Sequence, residues 1–464
     1  MPTPEPCGPD RRTVGPGYAP PVTPADPSAE PSAAVCLDVG STWTKAVLIR
    51  PDGALAGFAE HPTTVSDVLA GVDAAVRAVV AAAPNAPDPQ LLACSSAGGG
   101  LRLAVVGTDR LTAEEAGHRV ARSAGARVVH VHGGPLDPGD VRVLRGSRPG
   151  VVLLIGGADG DDPAPLLHNA ARLARARVRF PIVLAGNETA REDALALLAA
   201  TGRTVVACAN VAPRPGELRP DAARAAVAEL YAHHVLGGRG PAAAPRFRRL
   251  ARVGTPDAVS GGAALLAAML GVRVLVVDIG CATTDVHLAV PESQAGKPAG
   301  PASCLTSEGD LGMRAAAAGV LVEGQAEGVV DPVEADLLGP TVERMTNEVG
   351  YVPRDAGSAA EDRRIAALAA VLAVRRHRAA HEARGRVLGD VGLLVLTGGV
   401  FRRPDSNGLA AVVATVCHDT ALAPLLAQAR VAVDADFAVT PAGLLAAAGR
   451  TDAARSLLHD HLLG

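Results

Sequence analysis

Aromatic side chains are scarce in this 464-residue chain: five Phe, three Tyr and one Trp, 2% of the total. The core must be packed from Ala, Val, Leu and Ile, and a nucleic-acid surface built on rows of stacking rings is excluded. Lysine is scarcer still, occurring only at Lys45 and Lys297 among 44 basic residues. The formal charge is 44 − 48 = −4 with no dense basic block, which also argues against a phosphate-backbone binder. The seven cysteines (Cys7, Cys36, Cys94, Cys208, Cys281, Cys304, Cys417) form no C-x-x-C pair. Dispersed thiols point to a reducing cytosol, and away from a disulfide framework or a structural zinc. Long apolar runs are lacking too. Gly261–Gly280 is broken by Arg273 and reads as a helix followed by a strand, not as a membrane span. The expectation is a soluble cytoplasmic protein with neither nucleic acid nor membrane as partner.

What is present is an apolar content of 48%, ample for a substantial core. Residues 1–32 hold ten prolines and no apolar h-region, and read as a flexible tail, not a signal peptide. Order is expected from Ala33: strand Ala33–Asp38, a turn at Gly40–Thr42, strand Ala46–Ile49, a turn at Pro51–Gly53, strand Ala54–Glu60. A helix over Ser66–Ala82 follows, with Ser66 as N-cap. Within 110–212, strands alternate with helices of 10–15 residues, the pattern of an inserted α/β subdomain. Residues 213–271 return to the first lobe, 33–109, and link onward. A second strand–turn–strand unit, Val272–Asp278 and Asp285–Val290, begins the second lobe, 272–464. Its acidic residue stands 278 − 38 = 240 residues after the first, which suggests two like-folded lobes.

The turns carry the chemistry. In Asp38-Val39-Gly40-Ser41-Thr42-Trp43-Thr44-Lys45, a glycine lets the chain turn so that amide N–H groups face one concavity, a nest for phosphate oxygens. Ser41 and Thr42 add hydroxyls, Lys45 a compact positive charge, and Asp38 a carboxylate suited to hydrated Mg2+. Asp278-Ile279-Gly280-Cys281-Ala282-Thr283-Thr284-Asp285 repeats the logic. Asp278 and Asp285 are candidates to hold a metal's water shell or orient an attacking water, and Thr283 and Thr284 to bind a terminal phosphate. A third element, Thr397-Gly398-Gly399-Val400, allows close backbone approach to a ligand. Each alone also reads as an ordinary turn. A Walker-type G-x-x-x-x-G-K-[ST] loop does not occur in the sequence.

The order D-x-G-S-T-x-T-K, D-I-G-x-A-T-T-D, T-G-G resembles the phosphate-1, phosphate-2 and adenosine motifs of the actin/Hsp70/sugar-kinase ATPase superfamily. Within it, Ala93–Gly99, Leu154–Gly160, Leu167–Ala170, Val277–His287, Glu308–Arg314 and Glu348–Tyr351 are similar to the MutL proteins associated with adenosylcobalamin-dependent glutamate mutase. The resemblance spans about 33–449. It implies a two-lobed α/β ATPase with duplicated ribonuclease-H-like lobes, binding ATP and Mg2+ through Asp38, Gly40, Ser41, Thr42, Thr44, Lys45, Asp278, Gly280, Thr283, Thr284, Asp285, Gly398 and Gly399. It further implies a chaperone or reactivating factor that releases damaged cobalamin from glutamate mutase subunits. Two other readings stay open: a hydantoinase- or oxoprolinase-like ATP-dependent amidohydrolase or small-molecule kinase, and a nucleotide-binding scaffold with little turnover. The family pattern has a second glycine where this chain has Cys281, and a positive φ there would strain the cysteine. Asp285-Val286-His287 begins a corrinoid-binding D-x-H-x-x-G signature, but position 290 is Val.

Four further groups invite a reading. The acidic loop Gly156–Asp162 offers either a ligand site or a solvated turn, and Ser95–Gly100 either a cleft wall or a tight turn. His130/His132 and His233/His234 lack a third ligand at zinc spacing and read as structural. The arginines at 363, 364, 375, 376, 378, 384 and 386 read as a solvated helix face.

Overall fold

Two of the three sheets share one plan. The computed structural model describes residues 32–64, 67–82, 89–96, 101–123, 126–176, 180–234, 247, 250–291, 303–348, 350–382, 387–402 and 406–464. Its strands begin with β1 (Ala34–Val39), β2 (Trp43–Ile49), β3 (Leu55–Pro62) and β4 (Gln90–Ser95). Next come β5 (Leu101–Gly107), β6 (Ala126–Gly133), β7 (Val151–Leu154), β8 (Ile182–Leu184), β9 (Val205–Ala207) and β10 (Ala251–Gly254). The last five are β11 (Val274–Ile279), β12 (Thr284–Ala289), β13 (Ser303–Glu308), β14 (Leu393–Gly398) and β15 (Arg430–Val433).

The first sheet runs β10-β4-β1-β2-β3, and the second β15-β14-β11-β12-β13. In each, the leading strand pairs antiparallel with its successor and parallel with a later strand. The registers match: Asp38 faces Lys45 across β1/β2, and Asp278 faces Asp285 across β11/β12. This duplication is the two-lobed actin-like architecture. Both leading strands are apolar runs (AVCLDV, VLVVDI) because they are covered on both faces. A shared core joins the lobes. Cys36 and Val47 of the first sheet and Val276 and Val395 of the second belong to one buried cluster, with helices Thr255–Leu270 and Val439–Ala447 between them. Those helices cross at Gly262 and Gly443, where a Cβ would strike the opposite backbone.

The third sheet, β6-β5-β7-β8-β9, is parallel throughout, with helices on both faces. It starts at Leu101, and the helix Asp221–His234 packs on it, so the α/β unit is wider than 110–212. β5, its second strand, is not signalled by the sequence pattern. Neither is the helix Pro138–Gly146, despite its Asp137/Asp140 capping box. β15 stops at Val433 because Asp434 turns the chain and caps the next segment, accepting from the Ala438 and Val439 amides (2.6 and 3.2 Å). Asp67 caps the helix Val68–Ala81; the expected cap, Ser66, lies outside the described residues.

The arginines of helix Ala356–Glu382 do not form a solvated face. Arg364 grips Glu334 (2.6 and 3.0 Å) and Arg375 grips Asp419 (3.0 and 2.5 Å). Arg376 meets Glu308, Asp310, Glu323 and Glu327 at 2.7–3.2 Å. Arg384 and Arg386 lie outside the described residues. Among the described residues no helix is long and apolar enough to cross a membrane.

Candidate functional site

A cleft of about 810 Å³ opens where the tips of the two duplicated hairpins meet. From the first lobe it is lined by Asp38, Gly40, Ser41, Thr42 and Lys45, and from the second by Asp278, Gly280, Cys281, Thr283, Asp285, Gly398 and Gly399. Segments 240 residues apart thus share one cavity. Two expected members do not reach it. Thr44 is fully buried and its hydroxyl is bonded to Thr63 (2.9 Å), while buried Thr284 donates to the Leu311 carbonyl. The alternation of β2 and β12 turns both side chains away from the cavity that Lys45 and Asp285 face.

The two turns close alike. Gly40 N–H donates to Trp43 O (3.0 Å) and Gly280 N–H to Thr283 O (2.9 Å). A Cβ at Gly40 would sit 2.8 Å from Trp43 O, which explains the glycine sterically. The loop after β13 braces the second turn, Met313 and Arg314 amides donating to Gly280 O and Cys281 O (2.9 Å each). Cys281 is not among the positive-φ residues, so the cysteine carries none of the left-handed strain expected of it. Gly398 does need to be glycine: its φ is 139° and it packs on Ile279 O.

Charge is concentrated at the floor. Asp38 accepts from the Thr255 hydroxyl at 2.8 Å and pairs with Lys45 at 3.3 Å. Burial works against the Lys45 ammonium, but Asp38 and then Asp278 outweigh it and hold its pKa above the ordinary lysine value. Burial, then the neighbouring Asp285, pushes Asp278 up to about 7 despite Lys45. Burial likewise lifts Asp285 to about 6, opposed by hydrogen bonds from Ser307 and Thr283. Asp278 is thus poised between carboxylate and carboxylic acid near neutral pH, the condition for a proton acceptor.

Residues outside the candidate set support the site or line its walls. The Lys45 ammonium stands 4.6 Å above the Phe437 ring, and Phe437 holds an uncommon φ of 57°. Thr397 donates to Asp434 at 2.9 Å, as Thr255 does to Asp38. Arg314 reaches Asp362 (3.0 Å) on the far wall. Thr255 had a local signal, since Gly254-Thr255-Pro256-Asp257 is a helix start. The acidic loop after β7 is structural: Asp159 accepts from Glu188 N and Asn210, and Asp161 from Ala158 N. Ser95 and Ser96 line the cleft; Ala97–Gly100 lie outside the described residues.

The model of the family described as MutL protein matches residues 34–462. The chain belongs to the MutL family. One relative, Protein MutL of Clostridium tetanomorphum, is 33% identical over 298 residues, 61% of this chain and 64% of that protein. The match therefore spans just under two thirds of that relative's length. Among solved structures, a nucleotide-free acetone carboxylase overlaps at 14% identity (89% of this chain, 70% of the other, TM-score 0.38). A ROK family glucokinase from Streptomyces griseus in complex with glucose and AMPPNP overlaps at 12% identity (92% and 99%, TM-score 0.33). The activator of the 2-hydroxyisocaproyl-CoA dehydratase from Clostridium difficile with bound ADPNP overlaps at 10% (92% and 97%, TM-score 0.30). Likeness at this level leaves the architecture of this MutL-family chain resting on its own duplicated sheets.

Proposed function

We propose that the cleft binds ATP with Mg2+ between the two hairpin turns, and that binding and hydrolysis move the lobes so as to reactivate glutamate mutase by releasing damaged cobalamin. The observation that carries the nucleotide half is the convergence of Asp38, Lys45 and Asp278 on one cavity floor. The donor set fits the ligand. Carboxylate oxygens suit a hard cation that keeps its waters, and glycine turns leave room for phosphate oxygens. The buried Thr42 hydroxyl, without a protein partner, is a polar group that a ligand would satisfy.

Asp38 and Asp278 would hold the hydrated Mg2+, whose charge offsets that of the phosphates. Lys45 meets a phosphate oxygen while remaining paired with Asp38. Asp278 would accept the proton of a water that attacks the terminal phosphorus; in the metal-free protein burial, and then Asp285 beside it, raises its proton affinity. Gly398 and Gly399 approach the nucleoside closely. Inverting a lobe equilibrium from 1:99 to 99:1 needs about 5.5 kcal/mol of differential binding. A few charge-assisted contacts at roughly 1.5–3 kcal/mol each supply that.

The partner assignment rests on family membership, and one experiment tests it. Phosphate release is measured with the protein alone, with glutamate mutase carrying inactivated cobalamin, and with small-molecule acceptors. Stimulation by the inactivated mutase supports the reading. Stimulation by a small substrate in its place supports a kinase or amidohydrolase, and binding without release a scaffold.

A further inference from the structure

On β13 the side chains alternate. Leu305 and Ser307 face the cleft, so Cys304, Thr306 and Glu308 face the other way, towards helix Ala356–Glu382. There Cys304 meets His377 and His381, one helical turn apart, and the sulfur and ring nitrogens lie within 4.8 Å of one another. Cys304 Sγ is 3.0 Å from His381 Nε2 and 3.7 Å from His377 Nε2. Both rings are out of solvent, at 0% and 5% exposure.

A second observation fixes the direction of one ring. His377 Nδ1 is bonded to the Thr306 hydroxyl at 2.8 Å. With Nδ1–H donated there, the Nε2 lone pair faces the sulfur, the outer partner that orients a metal-binding imidazole. Zinc–sulfur bonds of about 2.3 Å and zinc–nitrogen bonds of about 2.0–2.1 Å give a tetrahedral S···N edge of about 3.5 Å, between the two observed separations. The i,i+4 spacing puts both imidazoles on one helix face.

We propose that Cys304, His377 and His381 form a Zn2+ site with a fourth position for water. A thiolate with two neutral imidazoles is a donor set that this borderline-soft cation takes with three protein ligands. Binding breaks the Cys304 S–H bond and releases that one proton to solvent, since both imidazoles enter neutral. The ion would tie the edge strand β13 to the longest helix of the second lobe. β13 also carries Ser307, which donates to Asp285, so the site braces the strand under the cleft while lying outside it.

The test uses the full chain purified without added metal, followed by cobalt substitution. One equivalent of zinc is expected, and the Co2+ form should show a thiolate-to-metal charge-transfer band and the strong visible absorption of four-coordinate cobalt. Cys304→Ser should abolish that band. His381→Gln should end stoichiometric binding and gives the same readout if the serine variant does not fold. Thr306→Val should weaken Zn2+ binding about ten- to hundred-fold in competition with a chromophoric chelator, and Cys417→Ser should change nothing. Absence of a thiolate band in folded wild-type protein, or the same spectrum in Cys304→Ser, overturns the site. One equivalent of copper as purified overturns the zinc assignment.

Discussion

Asp38 and Asp278 hold the same place in two copies of one sheet, each the penultimate residue of its leading strand and each paired across a hairpin, Asp38 with Lys45 and Asp278 with Asp285. The copies have diverged at the paired position. Lysine opposite the first aspartate makes an ion pair, while a carboxylate opposite the second raises proton affinity. In the proposed reading, the first hairpin holds phosphate and the second accepts a proton.

Replacing Asp278 by Asn removes the proton acceptor and keeps the shape. Phosphate release at saturating MgATP should fall about 10²–10⁴-fold. Single-turnover rates beside equilibrium binding check this.

Lys45→Met removes the phosphate contact and strands Asp38 beside Thr255. Nucleotide Kd should rise about ten- to hundred-fold, the equivalent of one charge-assisted hydrogen bond. Removing the ammonium should also lower apo stability by about 1–3 kcal/mol, read from denaturant titration.

Stability of the apo protein should depend on pH through the raised carboxyls. Asp278 and Asp285 titrate near 7 and 6 when folded, against about 3.9 for an unperturbed aspartate. Between about pH 4 and pH 7 the folded state binds more protons than the unfolded one, so these groups make stability fall as pH rises. Asp278→Asn should flatten that slope in a series of melting temperatures.

Cys281 has an ordinary backbone conformation, so a glycine there relieves nothing and adds freedom to the unfolded chain. Cys281→Gly should destabilise the protein by about 0.4–1 kcal/mol, measured by denaturant midpoint at constant slope.

The hairpin turns were legible because Asp-x-Gly after an apolar run has few physical meanings, and its recurrence 240 residues on announced the duplicated lobes. β5 was hidden for the opposite reason: it is a short apolar run inside a parallel sheet, where burial on both faces erases the alternation that marks a strand. Thr44 and Thr284 looked like ligand groups by type, but strand alternation decides direction and turned them inward. Arg364, Arg375 and Arg376 looked solvated because their acidic partners lie 30–68 residues away in sequence. The cluster at Cys304 escaped likewise. A histidine pair at i,i+4 was visible among the arginines, but its third member is 73 and 77 residues distant and meets it only in the folded sheet.

Calorimetric titration of magnesium ATP into wild-type protein and into Asp38→Ala, each with its fold verified by circular dichroism, tests the shared cleft most directly. The account expects one saturable site in the wild type and its loss in the variant. A folded wild type that yields no heat, or a variant that binds as tightly, would contradict it.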